Sequence, residues 1–119
     1  MINIDELVYE FLSGYTELVD IIDDKIFVID IPENTSLPVV QIGSETNVER
    51  TRDKRIDKTE LVIHIYSSKH SQGWEIMEKI VEYLDLAEDG NTNTQLFFKH
   101  RHEQHNGYSH IQTITFDVK

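Results

Sequence analysis

The sequence predicts an α+β fold: an antiparallel or mixed β-sheet of about four to five strands packed by one long amphipathic helix, with short N-terminal helices and a long mobile arm. Two neighbouring patterns carry that expectation. Residues 59–66 alternate, with Leu61, Ile63 and Ile65 on one side and Glu60, Val62, His64 and Tyr66 on the other, a period of two that reads as a strand. After a short Ser-containing loop, Trp74, Met77, Ile80, Val81 and Leu84 recur at helical spacing, with Glu75, Glu78, Lys79 and Glu82 opposite them. An aliphatic strand face needs a cover, and this helix is the long amphipathic segment that can supply it.

The remaining elements follow in chain order. Asn3 or Asp5 is placed to cap a first helix with Ile4, Leu7, Val8, Phe11 and Leu12 inward, ended by Ser13 and Gly14. Residues 15–22 read as a second short helical stretch with Leu18, Val19 and Ile22 inward. Asp20, Asp23 and Asp24 form an acidic corner. Paired carboxylates serve general acid–base chemistry or cation binding, but no His, Lys or nucleophile stands at a telling spacing, so a solvated corner is the favoured reading. Residues 25–31 look like a strand stopped by Pro32, and residues 37–42 like a strand entered through Pro38.

Residues 43–57 are nearly all polar, Val48 and Ile56 being the aliphatic exceptions. They cannot bury enough surface to fold by themselves, which predicts a mobile loop or an extended hairpin arm, flexible over residues 44–57. Arg50, Arg52, Lys54, Arg55 and Lys58 make this stretch a basic island. Residues 51–70 hold five bases against three acids, whereas residues 1–50 hold eleven acids and two bases, and the whole chain of 119 residues carries −11. Such a surface repels nucleic acid phosphates, so free duplex binding by a single subunit is disfavoured.

Residues 87–93 form a loop in which Asp89, Asn91 and Asn93 resemble part of a calcium site without its closing Glu. Residues 95–103 and 108–118 form a hairpin turning at Asn106 and Gly107. That turn sets His102 opposite Ile111, and the parities of Ile111 and Ile114 then disagree. A bulge near Gln112 and Thr113 would place Leu96, Phe98, Ile111, Ile114, Phe116 and Val118 on one face. His100, His102, His105 and His110 cluster in sequence. The zinc motif that His102 and His105 approximate needs a helix, and these residues run into a turn. Ordinary strand histidines are therefore favoured over a metal-dependent enzyme. No Walker loop, dinucleotide fingerprint, nucleophile elbow or Cys/His pair is present, and the chain has no cysteine. No metal, no cofactor and no catalytic residue is expected. The start lacks the basic and apolar regions of a signal peptide, and no apolar run has membrane-spanning length, so a soluble single domain with no membrane partner is expected over residues 1–119.

The order helix, Leu18–Val19, Lys25–Ile26–Phe27, Ile31–Pro32, Leu37–Pro38–Val39–Val40, polar arm, Val62 to Ser67, a helix opened by Gly73 and a terminal strand pair resembles the tail-completion proteins of long-tailed bacteriophages. These are also called tail terminators or tail-to-head joining proteins. The resemblance runs over nearly the whole chain. It implies a non-enzymatic α+β subunit of the virion's head–tail junction, assembled in the host cytoplasm. Such a subunit joins a ring, often a hexamer, on the head-proximal end of the tail tube, with the tail tube protein and the head–tail connector protein as partners. A neighbouring stopper or head-completion subunit is the alternative. Ring formation needs unlike patches to meet, and the charge map offers the basic arm and the acidic corner. The arm could instead line a ring lumen, facing passing DNA.

Overall fold

The computed structural model describes residues 3–50, 55–90 and 93–119, with the side chains of residues 47–50 and 55–57 left undescribed. Helix α1 spans Ile4–Ser13, and the Asn3 side chain accepts a hydrogen bond from the Glu6 amide at 3.3 Å, which satisfies one of the open donors of the first turn. Helix α2 spans Thr16–Ile22 and ends on Asp23 in the left-handed region. Strand β1 (Ile26–Val28) follows, then the long hairpin of β2 (Val39–Arg50) and β3 (Arg55–Ser67). Helix α3 (His70–Leu84), β4 (Glu88–Asp89), β5 (Thr94–His105) and β6 (His110–Val118) complete the chain.

Among the described residues the sheet has six strands in the order β1-β2-β3-β6-β5-β4, accompanied by three helices. The expectation of four to five strands therefore falls short. The extra member, β4, is a dipeptide paired with Thr94 and Gln95, too short to carry any alternation. Of the pairings among the described residues, β1 on β2 is parallel and the others are antiparallel. The first strand is also shorter than expected, because Ile29 takes φ 69°, a conformation that costs a β-branched residue and turns the chain out of the ladder well before Pro32.

Leu61, Ile63 and Ile65 of β3 stand beside Phe116, Ile114 and Gln112 of β6. This face is covered by Ile76, Met77, Ile80 and Leu84 of α3 and by Val8, Leu12, Leu18 and Ile22 of α1 and α2. Trp74 and Val81, expected on the inward face of the helix, are only partly buried against the core, and Ile76, not among the expected residues, is fully buried in it. The helix starts at His70 and not at Gly73. Gly73 lies inside its first turns, where a Cβ would come within 2.5 Å of Ser67 Oγ, so the contact between α3 and β3 requires a residue without a side chain.

The terminal hairpin corrects two expectations. Its connection is a four-residue loop in which Asn106 Oδ1 accepts from the amides of Tyr108 and Ser109 at 3.0 and 2.8 Å. His105 consequently faces His110, and Gln104 faces Ile111. The one-residue shift exists, but it lies between Phe98 and His100 in β5, while β6 runs regularly against β3 from His110 to Val118. Ile111 therefore stands beside Tyr66 on the open face, away from Ile114 and Phe116, and the core position is taken by Gln112.

Candidate subunit-contact surface

Of the basic island, Arg52 and Lys54 lie outside the described residues, as do the side chains of Arg50 and Arg55. Their backbone setting is nonetheless clear at the flanks. β2 and β3 stay paired from Val39 with Tyr66 out to Arg50 with Arg55, so residues 43–50 and 55–57 form an extended hairpin and not a loose loop. Cross-strand pairing replaces a hydrophobic backing there, as between Thr46 and Thr59, whose hydroxyls lie 3.2 Å apart. Lys58, opposite Asn47, is engaged within the chain.

Asp20, Asp23 and Asp24 are all exposed at the end of α2. Asp23 and Asp24 both take positive φ, 52° and 62°, a conformation that Asp tolerates better than most residues. This corner sits at the opposite end of β2 from the arm's tip: the Val40 amide donates to the Lys25 carbonyl at 3.0 Å. Ten residues separate Val40 from Arg50 in the strand, a span of about 33 Å at about 3.3 Å per residue. The screening length at physiological salt is about 8 Å. At the Arg50–Arg55 pair the backbone of the arm therefore lies several screening lengths from the acidic corner.

The far end of the β5–β6 hairpin is built differently. Glu103 Oε1 accepts from Gln112 Nε2 at 2.7 Å and lies 2.5 Å from His70 Nε2. The Gln112 hydrogen bond, then the His70 contact, hold the Glu103 carboxyl below its ordinary range. The Arg101 guanidinium lies 4.2 Å from the Trp74 ring centroid, a cation–π contact. His110 packs 4.4 Å from His105 and 5.8 Å from His70, ring centre to ring centre. His100 and His102 instead stand beside Thr115 and Thr113 on the other face. The four histidines of the sequence run are thus split between faces. His70, absent from that run, completes the cluster; only the pairing of its own helix with β5 could reveal it. Among the described residues, no group of three or more His, Cys, Asp or Glu side chains is arranged to hold a metal ion. Asp89 belongs to β4, and Asn91 of the calcium-like run lies outside the described residues.

On the open face, His64 Nδ1 meets Thr113 Oγ1 at 2.9 Å, and the Tyr66 hydroxyl donates to Gln41 Oε1 at 3.0 Å. Burial pushes the His64 imidazole below its ordinary pKa and raises that of Tyr66. No described helix is long and apolar enough to cross a membrane.

Comparison with known proteins gives a likeness in fold. No protein-family model and no curated protein matches the chain. A solved chain from the virion of a native gene transfer agent (GTA) particle superposes with a TM-score of 0.77 at 12% identity, covering 93% of this chain and 89% of that one. At that identity the likeness establishes a shared architecture, from the first helix to the last strand.

Proposed function

We propose that this chain is a non-catalytic structural subunit of a phage-type virion. It caps the head-proximal end of the tail tube and joins the tail to the head as a ring, taken from the resemblance as six copies. The observation that carries the reading is the fold, shared over nearly the full length of both chains with a component of a GTA virion. The order of elements, which resembles that of tail-completion proteins, supplies the finer assignment.

The subunit contact follows from the charge map. Arg50, Arg52, Lys54, Arg55 and Lys58 of the arm meet Asp20, Asp23 and Asp24 of the next copy, a heterologous contact of the kind that closes rings. The distance along β2 between the Arg50–Arg55 pair and the corner that holds Asp20, Asp23 and Asp24 supports it. Each exposed ion pair contributes about 0–1 kcal/mol, so assembly is salt-sensitive. Its partners are the tail tube protein and the connector protein, with no cofactor and no membrane, and any arm residues facing the lumen meet passing DNA only during transit.

Electron microscopy of particles produced without the protein tests the assignment. Unjoined tails, or tails of uncontrolled length, are the expected phenotype. Joined tails on heads that leak their DNA would move the protein to the neighbouring stopper position, and intact infectious particles would remove it from the junction.

A further inference from the structure

We infer that copies of this chain join edge to edge, the outer edge of β5 in one copy adding to the outer edge of β2 in the next. This deepens the ring reading and rests on it. Val40 and Ile42 direct their backbone groups toward β1, the first donating to Lys25 and the second accepting from Ile29. By alternation, Ser44, Thr46, Val48 and Arg50 face the same way. β1 has ended there, and among the described residues nothing pairs with them. On the far side of the sheet, β4 and the Asp85 carboxylate satisfy β5 only as far as Phe98. Beyond the shift at Lys99, the β5 residues facing β6 are His100, His102 and Gln104, which leaves Arg101, Glu103 and His105 facing outward. Two long edges of a six-stranded sheet are thus open templates for strand addition.

Their chemistry favours joining unlike edges. The β2 edge borders a cleft lined by Asp5, Ile29, Ile42, Gly43, Glu45 and His64. Within it Asp5 Oδ1 is buried without a hydrogen-bond partner, and Ile29 is 61% exposed. The β5 edge carries Arg101 beside Glu103, and Lys99, which is already paired with Glu60 at 3.1 Å. It borders a groove lined by Trp74, Met77, Val81 and the exposed Phe98, with Glu78, Glu82 and Arg101 at its rim. Pairing β2 with β2 brings Asp5 and Glu45 against their own copies, and pairing β5 with β5 does the same to Lys99 and Arg101. Mixed pairing sets Arg101 and the amide donors of β5 against the edge where Asp5 and Glu45 lie, and brings the exposed Ile29 toward the groove beside Phe98. Mixed pairing is also the kind that propagates around a ring.

Because the chain lacks cysteine, single-cysteine variants test this directly. Ser44→Cys and His105→Cys proteins, alone and mixed, are treated with a short bismaleimide at high protein concentration. The expected product is the mixed dimer, absent from either variant alone and lost when the Ser44→Cys partner is replaced by one carrying Ser44→Pro and Thr46→Cys. Proline removes an outward-facing amide and leaves the pairing with β3 intact, so circular dichroism stays unchanged. Homodimers as abundant as the mixed species, or no cross-link beyond that of a Tyr108→Cys control, would overturn the inference. Velocity sedimentation separates the two levels: rings without the mixed cross-link retain the ring reading and discard the edge contact, whereas monomers throughout, with normal particles formed without the protein, discard both.

Discussion

The two long hairpins of this fold end in opposite ways. The outer part of β5–β6 is tied back to the start of α3 by Glu103, Gln112 and His70 and by Arg101 over Trp74. The outer part of β2–β3 runs past the hydrophobic core with pairing across the hairpin as its visible support. An antiparallel ladder thus serves once as a wall of the domain and once as a projection. Stability should reside in the first region, whereas the second should serve association and contribute little to stability.

The largest effect expected from that contrast comes from Phe116→Ala. Phe116 is fully buried beside Leu61 under α3, and its truncation should lower unfolding free energy by about 3–5 kcal/mol in a urea titration. Reversal of Arg52, Lys54 and Arg55 to Glu should shift the same curve by no more than about 0.5 kcal/mol each. If the arm variant were the more damaging, the division between wall and projection would fail.

Gly73→Ala comes next. The new methyl group would meet Ser67 Oγ, and Ser67 is fully buried, so overpacking should cost about 1–3 kcal/mol. Ser67→Ala in the same chain removes the obstructing oxygen and should recover part of the loss. A double variant that is merely additive would mean the close approach is not the cause.

Smaller effects depend on pH. The His64 imidazole is held below its ordinary pKa by burial, so the unfolded chain takes up its proton first as the pH falls. Its contribution is complete above the unfolded value of about 6.5 and is lost as the pH falls through the lower folded value. His64→Gln should flatten the stability profile in that window. The Glu103 carboxyl, depressed by Gln112 and His70, acts at lower pH: its contribution holds above the ordinary Glu range and is lost as the pH drops through the depressed value. Glu103→Gln should remove that acid-side slope by losing the contribution at neutral pH, so that the two proteins converge in stability as the pH falls.

The elements that bury a face were legible in the sequence, because burial imposes a period. Asn3, Val8 and Leu12 marked α1, Ile80 and Leu84 marked α3, and Leu61 to Ile65 marked β3. The outer halves of β2 and β3 were less so, since residues such as Thr46 and Thr59 pair across strands without any apolar alternation. The parity conflict between Ile111 and Ile114 demanded no shift in β6, because Ile111 takes the open face; the one-residue shift that exists lies at Lys99 in β5. Its position depended on loop geometry around Asn106, where the side chain closes a four-residue turn that the Asn–Gly pair alone does not reveal. Ser67 and Gln112 were invisible as core residues, because polar side chains enter a core only through partners that tertiary structure supplies. The charges of the arm and of Asp20, Asp23 and Asp24 could be read directly; their placement at opposite ends of β2 could not.

The account turns on the arm as the contact between copies, and the Arg52→Glu, Lys54→Glu, Arg55→Glu protein tests it most directly. Supplied to particles that lack the native chain, it should fold with an unaltered circular dichroism spectrum and leave tails unjoined. Full restoration of joined, length-controlled tails by that variant would contradict the account.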